Sequence, residues 1–232
     1  MPLEITTKIG CTNMCEYCPQ SLLIKKYARL NKKTEPSSEA KKKDKIMSLD
    51  TFIKCISTIP SSMDMHFTGY VEPFENPACA DMMLHANSKG HTIACNTTLV
   101  GLTVDIIEKI RKIPFRAFRV HLPSSTYKEF IGVKRPLSTL ETGQYALSEE
   151  WLKILTYISN NPLHNQSYHC HGGLHPQLEA PPGLVKTVAI ESRASNLLKE
   201  NPETPLPPDI NPRGKCPRIY QNVLIPAGSL AL

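Results

Sequence analysis

Short apolar runs alternate with amphipathic stretches along most of this 232-residue chain, and no other feature constrains its fold as strongly. Residues 2–9 have the character of a strand. From Ser48, a residue type suited to helix N-caps, the run SLDTFIKCISTI sets apolar side chains at 49, 52, 53, 56 and 59, the spacing of one helical face. Strand-like segments follow at 63–68, 91–97 and 115–122, with helical ones between them at 77–88, closed by Gly90, and at 104–112. A helix over 148–159 and weaker strands near 167–171 and 184–190 extend the count to about six βα units. Such alternation predicts a parallel sheet, because a parallel neighbour is reached only through a crossover long enough to hold a helix.

Parallel sheets carry functional groups in the loops at the C-terminal ends of their strands, so the segments after the first four strands should converge. After the first comes Gly10-CTNMCEYC-Pro19, which holds Cys11, Cys15 and Cys18 in a C-x3-C-x2-C arrangement. Three thiolates suit a four-iron cluster in which one iron keeps no protein ligand, whereas clusters that only pass electrons are closed by a fourth cysteine. A zinc site and three ordinary buried cysteines are the competing readings. Structural zinc takes four nitrogen or sulfur ligands, and no second cysteine pair follows at such spacing. Cys55, Cys79 and Cys95 lie in apolar segments and read as small hydrophobes.

The cysteine loop resembles the signature of radical S-adenosylmethionine (radical SAM) enzymes, down to the aromatic Tyr17 directly before the third cysteine, a position that in this family lies against the adenine. After the second strand, Gly69-Tyr70-Val71-Glu72-Pro73 is similar to the family's GGEP-like element, with Tyr70 and Val71 where glycines are common. The resemblance implies that backbone carbonyls there and Glu72 bind the amino group of the methionine moiety. Asn96-Thr97-Thr98-Leu99 resembles the family's TNG-type turn near the nucleoside, and an Asx turn ending a strand is the alternative. Ser124, in Pro123-Ser124-Ser125, is a candidate ribose contact or the cap of a short helix.

Further along, Glu191-Ser192-Arg193-Ala194-Ser195-Asn196 is similar to an SRAGN element of radical SAM enzymes that bear a C-terminal SPASM-type domain, which makes Arg193 a candidate cofactor contact. Cys216 followed by NVLIPAGSL resembles the opening of that domain, without its later cysteines. The resemblance implies a partial TIM-type (β/α)6 barrel over 1–200, a Pro-rich linker at 201–214 and a partial SPASM-like, hairpin-like tail at 215–232. It also implies a 4Fe-4S cluster on Cys11, Cys15 and Cys18, S-adenosyl-L-methionine as cofactor, and an electron donor such as flavodoxin or ferredoxin. Reductive cleavage would release a 5′-deoxyadenosyl radical that takes hydrogen from a peptide, protein or carbohydrate-type substrate.

The net charge of +6 has a local origin, since 25–45 holds nine Lys or Arg against three acidic residues. That strip reads as a solvated loop, or as a lid or docking strip for an acidic partner. A non-catalytic iron–sulfur or zinc protein using the strip to bind nucleic acid is the reading from another class, and the near absence of interleaved aromatics argues against it. A truncated chain that keeps the cofactor site without turnover is a further alternative. His169, His171 and His175 are candidate metal ligands or, more simply, a polar loop facing substrate. No stretch approaches the ~20 apolar residues of a membrane span, and the N-terminus, MPLEITTKIG, lacks a secretory pattern. A cytoplasmic protein is the expectation.

Overall fold

A computed structural model describes residues 2–18, 20, 24, 46–133, 145–187, 222–224 and 230–231. Six strands and four helices alternate in it: β1 (Leu3–Ile5), α1 (Leu49–Ile56), β2 (Met65–Phe67), α2 (Cys79–Ser88), β3 (Ile93–Thr97), α3 (Val104–Ile110), β4 (Ala117–His121), α4 (Glu149–Asn160), β5 (Gln166–His171) and β6 (Val185–Thr187). A 3-10 turn, Pro73–Glu75, follows β2. Near the C-terminus lie β7 (Asn222–Leu224) and β8 (Leu230–Ala231). Ser48, Thr103 and Ser148 cap α1, α3 and α4, each accepting a backbone N–H three residues on.

The strands form one sheet in the order β6-β5-β4-β3-β2-β1-β7-β8, parallel throughout except for the β7–β8 pair. From β1 to β6 each strand sits beside its predecessor, so every crossover steps the same way. Crossovers in parallel sheets are right-handed, and uniform stepping therefore stacks all helices on one face, the singly wound arrangement of barrels. Consistent with this, α1 packs on α2, α2 on α3 and α3 on α4. The sheet stays open, as β6 and β8 do not pair. β7 runs parallel to β1 on the side away from β2, with Leu3 opposite Asn222 and Ile5 opposite Leu224.

Register sorts the side chains by face. Leu3, Ile5, Met65, Phe67, Ile93, Cys95, Phe118 and Val120 share the helix-covered side and are all buried at 1% exposure or less. They meet Phe52, Met82, Met83, Ile107 and Ile110 from the helices. Phe52 and Phe67 pack ring to ring at 5.8 Å. Each such side chain contributes about 1.5–3 kcal/mol by leaving water. Cys79 and Cys95 belong to this core and Cys55 packs at its margin, as small apolar residues do.

β1 is shorter than the 2–9 read from sequence, because Thr7 spends its carbonyl on Met47 N–H (2.9 Å) and the Asn76 amide (2.9 Å) instead of on a neighbouring strand. β6 is described over Val185–Thr187, and the rest of the 184–190 expectation past Thr187 lies outside the described residues. The basic 25–45 strip, Arg193, the Pro-rich 201–214 run and Cys216 also lie outside the described residues. Among the described residues no helix is long and apolar enough to cross a membrane.

Candidate functional site

The cysteine loop follows β1, and hydrogen bonds tie it to the loops after β2, β3 and β4. Glu75, whose side chain is 7% exposed, takes Thr12 N–H on one oxygen (2.7 Å) and the Lys8 ammonium on the other (2.5 Å), bracketing Gly10 and Cys11. Glu72 N–H points at Cys11 Sγ (3.4 Å). Asn13 donates to Thr98 Oγ1 (2.8 Å) and accepts Phe130 N–H (2.7 Å), while Glu16 N–H reaches Lys128 O (3.0 Å). Loops distant in sequence thus become one polar cluster at the C-terminal end of the sheet.

The three thiols are partly exposed. Burial, then Glu75, pushes the Cys11 thiol up to about 12. Burial, then Glu129, holds Cys15 well above the ordinary thiol range. Metal binding would release these protons. Among the described residues no group of three or more His, Cys, Asp or Glu is drawn together closely enough to hold a metal as it stands. The donor set fits a sulfur-ligated cluster in kind: three soft thiol donors on one short loop, in residues that are partly exposed. His169, His171 and His175 form no such group either; His175 is buried with Nε2 3.0 Å from Tyr145 O, and His169 pairs with Ser167 Oγ (3.0 Å).

Glu72 is buried, and its carboxylate accepts four bonds: from Thr97 Oγ1 (2.8 Å), Thr98 N–H (2.6 Å), Thr98 Oγ1 (2.7 Å) and Phe74 N–H (3.2 Å). Burial raises its pKa to about 7, with the threonine hydrogen bonds opposing. The side chain therefore welds the β2 loop to the end of β3. Pro73 O accepts the Thr7 hydroxyl (3.1 Å), and Tyr70 O accepts the Gln20 amide (2.8 Å). Gly69 has φ +102°, and a Cβ there would stand 2.6 Å from Thr6 Oγ1, so only glycine lets the β2 loop pass that close to β1.

Tyr17 OH lies 2.5 Å from Glu129 Oε1 and 3.0 Å from His121 Nε2, and its ring meets those of His121, His171 and Tyr127 edge-on. Glu129 is wholly buried and also accepts Ser124 N–H (3.2 Å). Ser124 is itself buried: its hydroxyl donates to His171 O (2.6 Å) and accepts Thr126 and Tyr127 N–H, which makes it a turn-former. At the end of β3 the turn is closed by Thr97 Oγ1 accepting Leu99 N–H (2.9 Å), with Leu99 at φ +67°. Asn96, the alternative Asx-turn residue, instead points along the helix-free face and donates to Thr68 Oγ1 (3.0 Å).

Sequence reading passed over Glu75, His121 and Glu129. Glu75 and Glu129 meet partners 63 and 112 residues away, and no local pattern marks them. His121 had a usable signal, its alternation with Arg119 on one face of β4.

No protein-family model matches the chain, and no curated protein does. Among solved structures, the crystal structure of BtrN in complex with AdoMet and 2-DOIA is similar at 12% identity and a TM-score of 0.42, covering 72% of this chain and 55% of that one. Selenomethionine BtrN in an open conformation is similar at 15% identity and a TM-score of 0.36, covering 51% of this chain and 48% of that one. The chain spans about half the length of these solved structures.

Proposed function

We propose that this chain is a radical SAM enzyme, with Cys11, Cys15 and Cys18 as ligands of a 4Fe-4S cluster and S-adenosylmethionine bound over the C-terminal ends of β1 to β4. The observation that carries the reading is the joining of a C-x3-C-x2-C loop to the Gly69–Pro73 loop through Glu72 N–H and Cys11 Sγ. When bound, the cluster supplies the electron that cleaves the sulfonium and starts hydrogen abstraction. The chain's own residues shape the space for it. Glu75 and Asn13 hold the cysteine loop against its neighbours, Glu72 rigidifies the β2 loop whose backbone faces the thiols, and the Tyr17–Glu129–His121 group walls the β4 side. Flavodoxin or ferredoxin would serve as electron donor, and the substrate would be peptide or carbohydrate in type.

Anaerobic reconstitution tests the reading. Reduced protein with S-adenosylmethionine should yield 5′-deoxyadenosine, and Cys15→Ala should lose its iron while Cys55→Ala keeps it. Equal iron in the two variants, or a colourless zinc-loaded protein, would overturn the assignment.

A further inference from the structure

The face of the sheet that carries no helix among the described residues is polar where barrel interiors are ordinarily packed with bulky branched residues. By register, Glu4, His66, Asn96, Arg119, His121, Ser167, His169 and His171 lie on it, above the small Ala94 and Ala117. At its centre is Arg119. Of the three arginines among the described residues, Arg111 pairs with Glu108 and Arg116 with Asp64, but among those residues no carboxylate pairs with Arg119. It is exposed and, among the described residues, donates to the Asn96 side-chain Oδ1, at 3.4 Å. Glu4, the acidic strand residue on this face, is three strands away, which at ~4.8 Å per strand is about 14 Å; Glu129, nearer, is engaged by Tyr17 and His121.

The sheet residues beside Arg119 are hydrogen-bonding, and among the described residues the nearest charged group on this side is the Glu129 carboxylate, which is engaged by His121 at 3.1 Å. Asn96 and Ser167 flank it at the same level of the sheet. One level nearer the cysteine loop lies His169, whose pKa is lowered by burial and then by Arg119 itself. His66, on the next strand but one, is also lowered by burial, and its buried Nε2 has no hydrogen-bond partner. A guanidinium flanked by Asn96 and Ser167, with no carboxylate bonded to it among the described residues, is a fork suited to a planar or tetrahedral oxyanion.

We propose that Arg119, with Asn96, Ser167 and His169 beside it, is a substrate-binding site for an anionic oxygen group, a carboxylate or a phosphate, lying deeper along the face than the cysteine loop. Calling that anion part of the substrate rests on the radical SAM reading above; the anion site itself rests on the sheet register. The test is calorimetric titration of the anaerobically reconstituted full chain, without S-adenosylmethionine, with inorganic phosphate in one arm and acetate in the other. At least one anion should bind, and Arg119→Gln should weaken it tenfold or more, Arg119→Lys less, and Arg111→Gln not at all. Tighter phosphate would indicate a phosphate ester, tighter acetate a carboxylate. Binding of neither anion, or equal binding by Arg119→Gln and the parent, would overturn the site. S-adenosylmethionine affinity, measured separately, should be within twofold of the parent in Arg119→Gln. A parallel tenfold loss would move Arg119 to the cofactor's own carboxylate and overturn the substrate assignment. A parent that binds anion but no S-adenosylmethionine would sink the radical SAM reading and leave the anion site standing.

Discussion

The two faces of the sheet obey opposite rules. On the helix-covered face every strand residue is apolar from β1 to β3 until Thr97, and burial is essentially complete. On the other face the same strands carry Glu4, His66 and Asn96, partly or fully exposed. One residue step along a strand exchanges one environment for the other, since side chains alternate. The first face holds the molecule together; the second, with the loops at its C-terminal rim, is free to hold groups that a core would reject.

Adjacent residues give the sharpest contrast. Phe67→Ala should destabilise by about 3–5 kcal/mol, because it empties a filled site between α1 and the sheet, whereas His66→Ala should cost under about 1 kcal/mol; urea unfolding measures both. Comparable losses would mean that the polar face is also a packed core. At the rim, Glu72→Ala should cost about 3 kcal/mol, since it strands buried donors on Thr97, Thr98 and Phe74. Glu4→Ala should stay within about 0.5 kcal/mol.

Asn76 offers an intermediate case. Its amide donates to Thr7 O and Met47 O, both buried, while its oxygen accepts Ala78 N–H in a part-buried bond. Asn76→Ala should cost about 2 kcal/mol, read again by denaturant midpoint. The smallest effect should come from Asn96→Ala, within about 0.5 kcal/mol of the parent. A large loss there would show that Asn96 supports the fold and is not held open for a ligand.

How much was legible beforehand follows the range of the interactions involved. The strand–helix alternation, the Ser48 cap and the cysteine spacing are local patterns, and the structure follows the first two, with most strands trimmed at their ends. Ser124 and Asn96 were readable as polar residues after strands four and three, but their partners were not: one turned inward to His171 O, the other outward along the bare face. Glu72 was singled out by its Glu-Pro context, yet its four donors come from β3 and its own turn.

By itself the sequence determined which segments are strands and helices and that three thiols sit on one loop, because periodicity and spacing are properties of neighbours along the chain. Tertiary structure alone decided that Glu75 and Glu72 clasp that loop, that Glu129 meets Tyr17, and that Arg119 stands without a counter-charge among the described residues. Those outcomes depend on which strand lies beside which, and a charge is paired or left alone only once the sheet has set the distances.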